Sequence, residues 1–445
     1  MERIIELARK HAQKAEVYRI EKNASPACFL GGKLSALEGE QSISTGLRVI
    51  VDGRLGFSST THPNEVEGLV QRAIDSASFG PPSDMSFPVL SHNFGRGDFF
   101  DSKVESLSLP KLIHTGEEMI DIVKREFPDV NIEAEVSREI HKVSIMNSDG
   151  GDVSFEKTIY QSFLNVLLML PSDRAELEDT RTTTHLSNAP QEMAEMAVWR
   201  FKNCRKVQPV QTKKMTVMFT SLAFRGLFVP LFYGLNGELA SRNLSIISKR
   251  LDEKIADRRI VLADDPTISG LPGSCPVDDE GFPTYRKVLI EKGVLKGFLY
   301  DLQTAYKAGK ESTGNGFKKS SLYTGFSIDA QPNPWPSNFV LNPGSIPRDK
   351  LIAGIKEGII IDDLMGAGQG NNLNGEFSMS VALGYKVENG EIVGRVKDVM
   401  VAGNVYDILL NNLKEMSAEV YSEDTLFGRY TVPWIVFDDM PVSAT

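Results

Sequence analysis

A chain of 445 residues with 41% hydrophobic and 24% charged content has the apolar material for a large core and the length for two or three domains. Its formal net charge of -10 leaves no basic track for a nucleic-acid backbone. Its longest apolar runs, such as Val166–Leu170, fall far short of the ~20 residues that a bilayer helix needs.

The opening residues Met1 to Glu6 mix charge with apolar positions at helical spacing and lack the apolar region of a secretion signal, so a short helix and a cytoplasmic location are expected. A strand follows around Val17–Ile20. Leu47, Val49 and Val51 then alternate with Arg48 and Ile50 up to Asp52-Gly53, which predicts a hairpin returning through Leu55 and Phe57. From about Asn64, Val66, Leu69, Val70, Ala73, Ile74 and Ala77 recur at helical spacing until Gly80-Pro81-Pro82. These elements define a predicted N-terminal α/β domain over 1–82.

Residues 83–107 lack periodicity and read as a connector. A second α/β domain is expected over 108–206. It holds a helix through Leu112 and Val123, an alternating strand over Val130–Val136, a turn at Ser148–Gly151, a buried strand over Tyr160–Leu170 and a helix from about Gln191 to Asn203. The polar, proline-containing segment Val207–Thr212 is the expected boundary before a β-rich domain over 214–445. In that domain Glu291-Lys292-Gly293 and Glu388-Asn389-Gly390 mark two hairpins. The predicted class is therefore α+β: strand-and-helix units followed by an open or barrel-like β-rich domain. A helix from about Ser221 to Ala240 places Phe224, Leu227, Phe228, Leu231, Phe232 and Leu235 on one packing face, with a kink or early break expected at Pro230.

Chemistry-bearing residues are sparse in the β-rich half. All six histidines precede residue 186, and the three cysteines, Cys28, Cys204 and Cys275, are widely spaced with no Cys-x-x-Cys pair. Asp278-Asp279-Glu280-Gly281 reads as an acidic turn, with paired carboxylates for proton transfer or cation binding as the alternative. Gly366-Ala367-Gly368-Gln369-Gly370-Asn371-Asn372 precedes a strand rather than a helix, so it reads as a tight turn and not as a dinucleotide loop.

The run from Gly46 to Thr60, the strings Pro276–Thr284, Leu289–Asp301, Thr313–Asn315 and Gly375–Ser378, then Gly384–Gly390 and Ala402–Asn404, resemble in order and spacing the TldD/PmbA peptidase family, and its PmbA/TldE branch most. The resemblance implies a pairing of a zinc-bearing TldD subunit with a metal-free TldE subunit that trims unfolded or leader-like peptides. TldD carries H-E-x-x-x-H on a helix before a G-L-E-G-like turn. Here that turn is Gly234-Leu235-Asn236-Gly237, and the motif positions fall on Phe228, Val229 and Tyr233. The resemblance thus implies a chain with no metal or catalytic residue of its own, zinc in a TldD-like partner, and a heterodimer or homodimer acting on peptide. Asp279, Gly281, Asn315, Gly368 and Asn371 are the expected peptide-binding positions. A homo-oligomeric peptide or protein binder without protease activity is the alternative, and an independent hydrolase built on Asp278, Asp279 and Glu280 is a third reading. The family also carries a label as modulator of DNA gyrase, to which the acidic balance lends nothing.

Overall fold

The computed structural model describes residues 1–170, 173–321, 324–425 and 428–444. After helix α1 (Glu2–Ala8), a long strand β1 (Lys14–Leu30) is followed by β2 (Lys33–Ala36), β3 (Glu40–Val51) and β4 (Arg54–Thr60). Asp52 and Gly53 both adopt positive φ, 48° and 69°, and form the predicted two-residue turn between β3 and β4. Helix α2 (Val66–Ala77) lies so close to β4 that a Cβ on Gly56 would sit 2.1 Å from the Ala73 carbonyl oxygen. Only glycine permits that approach.

The expected connector holds β5 (Ser91–Gly95) and the short helix α3 (Ser102–Glu105). Ser-His-Asn-Phe-Gly has no apolar alternation to announce a strand; its parallel pairing with β7 supplies the order. Helix α4 (Leu109–Glu126), β6 (Asn131–Asn147), β7 (Asp152–Leu170), β8 (Asp173–Thr183) and helix α5 (Ala189–Lys202) follow. β1 pairs with β3 on one side and β6 on the other, so residues from 1–82 and from 108–206 share one eight-stranded sheet.

The remaining strands begin with β9 (Lys213–Phe219), which leads into helices α6 (Arg225–Leu235) and α7 (Gly237–Ser241). Next come β10 (Leu262–Asp264), β11 (Lys287–Glu291), β12 (Val294–Leu295) and helix α8 (Leu302–Ala308). Four short strands follow, β13 (Gly316–Phe317), β14 (Lys319–Ser321), β15 (Thr324–Phe326) and β16 (Asn333–Pro334), then β17 (Phe339–Leu341) and helix α9 (Arg348–Ala353). The chain continues through β18 (Glu357–Met365), β19 (Glu376–Glu388), β20 (Glu391–Arg395), β21 (Val399–Asn404), β22 (Leu413–Thr425) and β23 (Gly428–Ala444). Both predicted hairpins are present, with Lys292-Gly293 and Asn389-Gly390 at positive φ.

β23, β21, β19, β18 and β9 pair in sequence, and β9 pairs again with β23, so the sheet closes into a five-stranded barrel. Alternation along the strands separates two cores. Val217, Phe219, Ile359, Ile361, Val401 and Phe437 share the inner cluster with α6, while Met218, Ile360, Tyr385 and Trp434 pack outward with residues of α4 and α5.

The structure corrects one helix boundary. The expected break at Pro230 does not occur; α6 runs through Pro230 and ends at Asn236, whose side chain accepts hydrogen bonds from the amides of Glu238 and Leu239 to start α7. A mid-helix proline costs about 3 kcal/mol. Nine of the eleven residues of α6 are buried, and burying its leucine and phenylalanine side chains offsets that cost at roughly 1.5 to 3 kcal/mol each.

Candidate functional site

A cleft of about 560 Å³ lies between one face of the N-terminal sheet and the loops of the β-rich half. Tyr18 and Ile20 on β1, Val143 on β6 and Phe155, Lys157 and Ile159 on β7 form one wall. Cys275, Asp279, Lys318, Lys319, Trp335, Asp424 and Arg429 stand on the other side.

Two strands of the N-terminal sheet also carry buried ionic residues next to the acidic turn of the C-terminal half. Arg48 on β3, 2% exposed, clasps Glu16 on β1 through its Nε and Nη2 atoms at 2.8 to 3.0 Å. Its Nη1 reaches Glu280 at 2.6 Å, so the triad ties the sheet to the acidic turn of the C-terminal half. Burial pushes the Glu16 carboxyl up to about 7 against the pull of Arg48, and the nearby Glu280 adds to the rise. A single guanidinium serving two buried carboxylates offsets only part of their desolvation.

Asp278, Asp279 and Glu280 form a turn in which the first and last are buried and Asp279 is half-buried. Asp278 accepts hydrogen bonds from the amides of Glu280, Phe282 and Gly316. Asp279 accepts from the Lys318 amide at 2.8 Å and from the Tyr18 hydroxyl, and burial raises its carboxyl pKa. Glu280 accepts from the Leu302 amide at the start of α8. Each carboxylate thus holds backbone together, which is the work expected of buried acids with satisfied acceptors.

Asp301 caps the same helix by accepting from the Thr304 amide at 3.0 Å. Burial and then Glu280 push its carboxyl up to about 7, well above the ~3.9 of an unfolded aspartate. The native state therefore binds more protons than the unfolded chain between about pH 4 and 7, and stability falls as pH rises through that window. Asp301→Asn keeps a competent cap and removes the titration. Urea unfolding at a series of pH values is expected to give a flatter profile for this variant across pH 4 to 7 than for the parent.

Lysines dominate the cleft itself. Lys157 Nζ donates to the Ser274 carbonyl at 2.9 Å and to the Pro272 carbonyl, and burial pushes its ammonium down to about 8. Lys318 Nζ donates to the Ala330 carbonyl at 3.0 Å and lies over the Phe57 ring at 4.6 Å; burial and Arg48 bring it to about 8. Lys319 Nζ lies 4.9 Å from the centre of the Trp335 ring. Burial pushes the Cys275 thiol up to about 12, so this cysteine stays protonated and is no nucleophile.

A second buried network crosses the same seam further along. Arg200 on α5 bridges Asp179 on β8, at 3.3 Å, to Asp362 on β18, at 2.7 Å. Arg181 pairs with Asp179 and reaches Glu423 on β22, which accepts from the Ser221 hydroxyl at 2.6 Å.

The residues singled out from sequence fall in different places. Asp279 lines the cleft. Gly281, at φ 74°, sits against Ile145 and Val153 of the sheet, and fully buried Asn315 bonds Asp264 and the Trp335 carbonyl behind the cleft wall. Gly368 and Asn371 belong to a separate loop where Asn371 caps the 3-10 turn Asn372–Asn374, and neither lines the cleft. Phe228 and Val229 are fully buried; Phe228 packs against Phe339 and Tyr430 at 5.2 Å, and Tyr233 against Phe232 at 5.8 Å. Neither Phe228 nor Val229 offers a lone pair, so these positions do not fit a zinc ion. Among the described residues no group of three or more His, Cys, Asp or Glu is arranged to hold a metal. Sequence spacing missed Lys157, Lys319 and Arg429 because they lie on three separate strands; the adjacent pair Lys318-Lys319 was the one local signal, since neighbours on an extended segment point to opposite sides.

This architecture, a curled mixed sheet docked on a closed barrel, defines the class. Residues 212–444 match the PmbA/TldA metallopeptidase C-terminal domain and residues 15–77 match PmbA/TldA metallopeptidase domain 1. The chain belongs to the PmbA/TldD family. It is 24% identical over 408 residues to the uncharacterized protein MJ0231 of Methanocaldococcus jannaschii, with 92% of each chain covered. It is 26% identical over 400 residues to a metalloprotease of Methanothermobacter thermautotrophicus, covering 85% of this chain and 83% of the relative. The crystal structure of TldE from Thermococcus kodakarensis superposes with a TM-score of 0.90 at 24% identity over 100% of both chains. A Thermotoga maritima protein named as a candidate modulator of a DNA gyrase shares the fold with a TM-score of 0.83 at 23% identity over 99% of both chains.

Proposed function

We propose that this chain is the metal-free, TldE/PmbA-like subunit of a cytosolic TldD/TldE-type metallopeptidase that processes unfolded or leader peptides. A TldD-like partner supplies the zinc in a heterodimer. The observation that carries this reading is the filling of the H-E-x-x-x-H positions by Phe228, Val229 and Tyr233, of which the first two are sealed in the barrel core. A metallopeptidase needs ligands and a base for the metal-bound water, and a phenylalanine and a valine supply neither. Zinc in the partner would activate that water. This chain would hold the peptide, with the charged cleft as the natural place, because it combines apolar walls with a few fixed polar groups. No described helix is long and apolar enough to cross a membrane, which is compatible with the cytosolic assignment.

The test is co-purification of this chain with a zinc-bearing relative from the same organism. Metal analysis and cleavage of an unstructured peptide then follow, for the complex and for each chain separately. Cleavage confined to preparations containing the relative, with zinc absent from this chain, is the expected result. Cleavage by this chain alone would overturn the proposal.

A further inference from the structure

Five cations line the cleft, Lys22, Lys157, Lys318, Lys319 and Arg429, with four carboxylates, Glu40, Glu139, Asp279 and Asp424; Lys22 is taken up by Glu139 and Glu40, and Lys318 by the Ala330 carbonyl. Their commitments differ. Lys157 and Arg429 both donate to the Pro272 carbonyl, and Arg429 also pairs with Asp424 at 3.3 Å. Asp279 is occupied by the Lys318 amide and the Tyr18 hydroxyl. Lys319 donates no hydrogen bond among the described residues, and its ammonium rests on the Trp335 ring. An ammonium has three donors and ordinarily uses them when drawn out of bulk water. Burial and Arg429 push this one down to about 7, an electrostatic cost that an incoming anion relieves.

The surroundings narrow the anion. Five lysine and arginine side chains against four carboxylates leave room for about one negative charge, which suits a monoanion better than a phosphate chain. Among the described residues no helix N-terminus or glycine nest, the usual phosphate cradles, borders the cleft. Ile20, Val143, Phe155, Ile159 and Trp335 give the same space an apolar wall. We propose that this cleft binds a carboxylate carried on an apolar residue, as at the C-terminus of a peptide, with Lys319 as the principal contact and Arg429 beside it. The proposal rests on the peptide-holding reading above and adds which end of the peptide is held.

The experiment uses the full chain by itself, so its outcome is independent of any peptidase partner. A fluorescent unstructured peptide ending in leucine is titrated in two forms, with a free carboxylate and with a C-terminal amide, and N-acetyl-leucine is used as competitor. The acid form is expected to bind at least tenfold more tightly than the amide. Lys319→Met should lower affinity for the acid at least tenfold with little change for the amide, and Lys319→Arg should recover most of it. Urea unfolding of each variant verifies that the fold is retained. Competition by N-acetyl-leucine would show that the terminal residue alone is read; absence of competition, with the acid preference intact, would show that preceding peptide residues are also held. Equal binding of acid and amide, or binding of the acid unaffected by Lys319→Met, would overturn the proposal while leaving the zinc-partner reading to its own test.

Discussion

Arg48→Met is expected to lower unfolding free energy by about 3 to 5 kcal/mol at pH 7, the usual cost of leaving buried charges without their partner. Glu16 and Glu280 are 1% and 0% exposed, and no described side chain besides Arg48 forms an ion pair with either. The deficit should shrink as pH falls from about 7 to 4, since protonation discharges the stranded Glu16 carboxyl and the unfolded chain gains no matching benefit. Adding Glu280→Gln should restore part of the loss, because glutamine still offers an acceptor to the Leu302 amide that Glu280 holds at 2.7 Å. Denaturant unfolding across this pH range decides the matter. A pH-independent deficit would mean that lost packing of the arginine stem, not charge, carries the effect.

Phe228→Ala should cost about 3 to 5 kcal/mol, the range for removing a buried aromatic ring. Its side chain is fully buried and meets Phe232, Phe339 and Tyr430 with ring centres 5.2 to 6.2 Å apart. Val229→Glu, at the adjacent motif position, should be at least as damaging, because a carboxylate there would be drawn into a cluster of apolar side chains. Thermal or urea unfolding of the two variants provides the comparison. A loss of about 1 kcal/mol or less at both positions would contradict a filled, rigid core at Phe228 and Val229.

Local chemistry was readable from the residues wherever it depends on a few neighbours. Asp52-Gly53, Lys292-Gly293 and Asn389-Gly390 announce their hairpins because positive φ restricts what can stand there. The barrel's ingredients were visible as short strands, but not its closure, which rests on β9 meeting β23, a pairing of residues 213–219 with 435–442 that no local pattern encodes. Of the kink or early break expected at Pro230, the break is absent for a related reason: a backbone penalty is legible in sequence, whereas the burial that outweighs it is not. The acidic turn at Asp278–Glu280 was visible as a turn, yet charge gives no hint that Asp278 and Glu280 are interior, that Asp279 lines the cleft, or that the three are tied to Arg48, Lys318 and three backbone segments. Three of the cleft's cations are scattered over 157, 319 and 429, and only the docking of sheet on barrel brings them together.

β23 has a consequence for how the chain acquires its structure. It pairs with β9, β17, β21 and β22, so four strands wait for one. During synthesis the residues before 428 emerge first, and β9 has one edge open until β23 arrives. The loop that must close between them spans over two hundred residues, a non-local contact of the kind that slows folding and exposes intermediates to aggregation. The N-terminal sheet has a long-range pairing of its own, β1 with β6, but it closes a loop only about half as long and all its strands are made before β9, so the two halves of the molecule are expected to mature on different timescales.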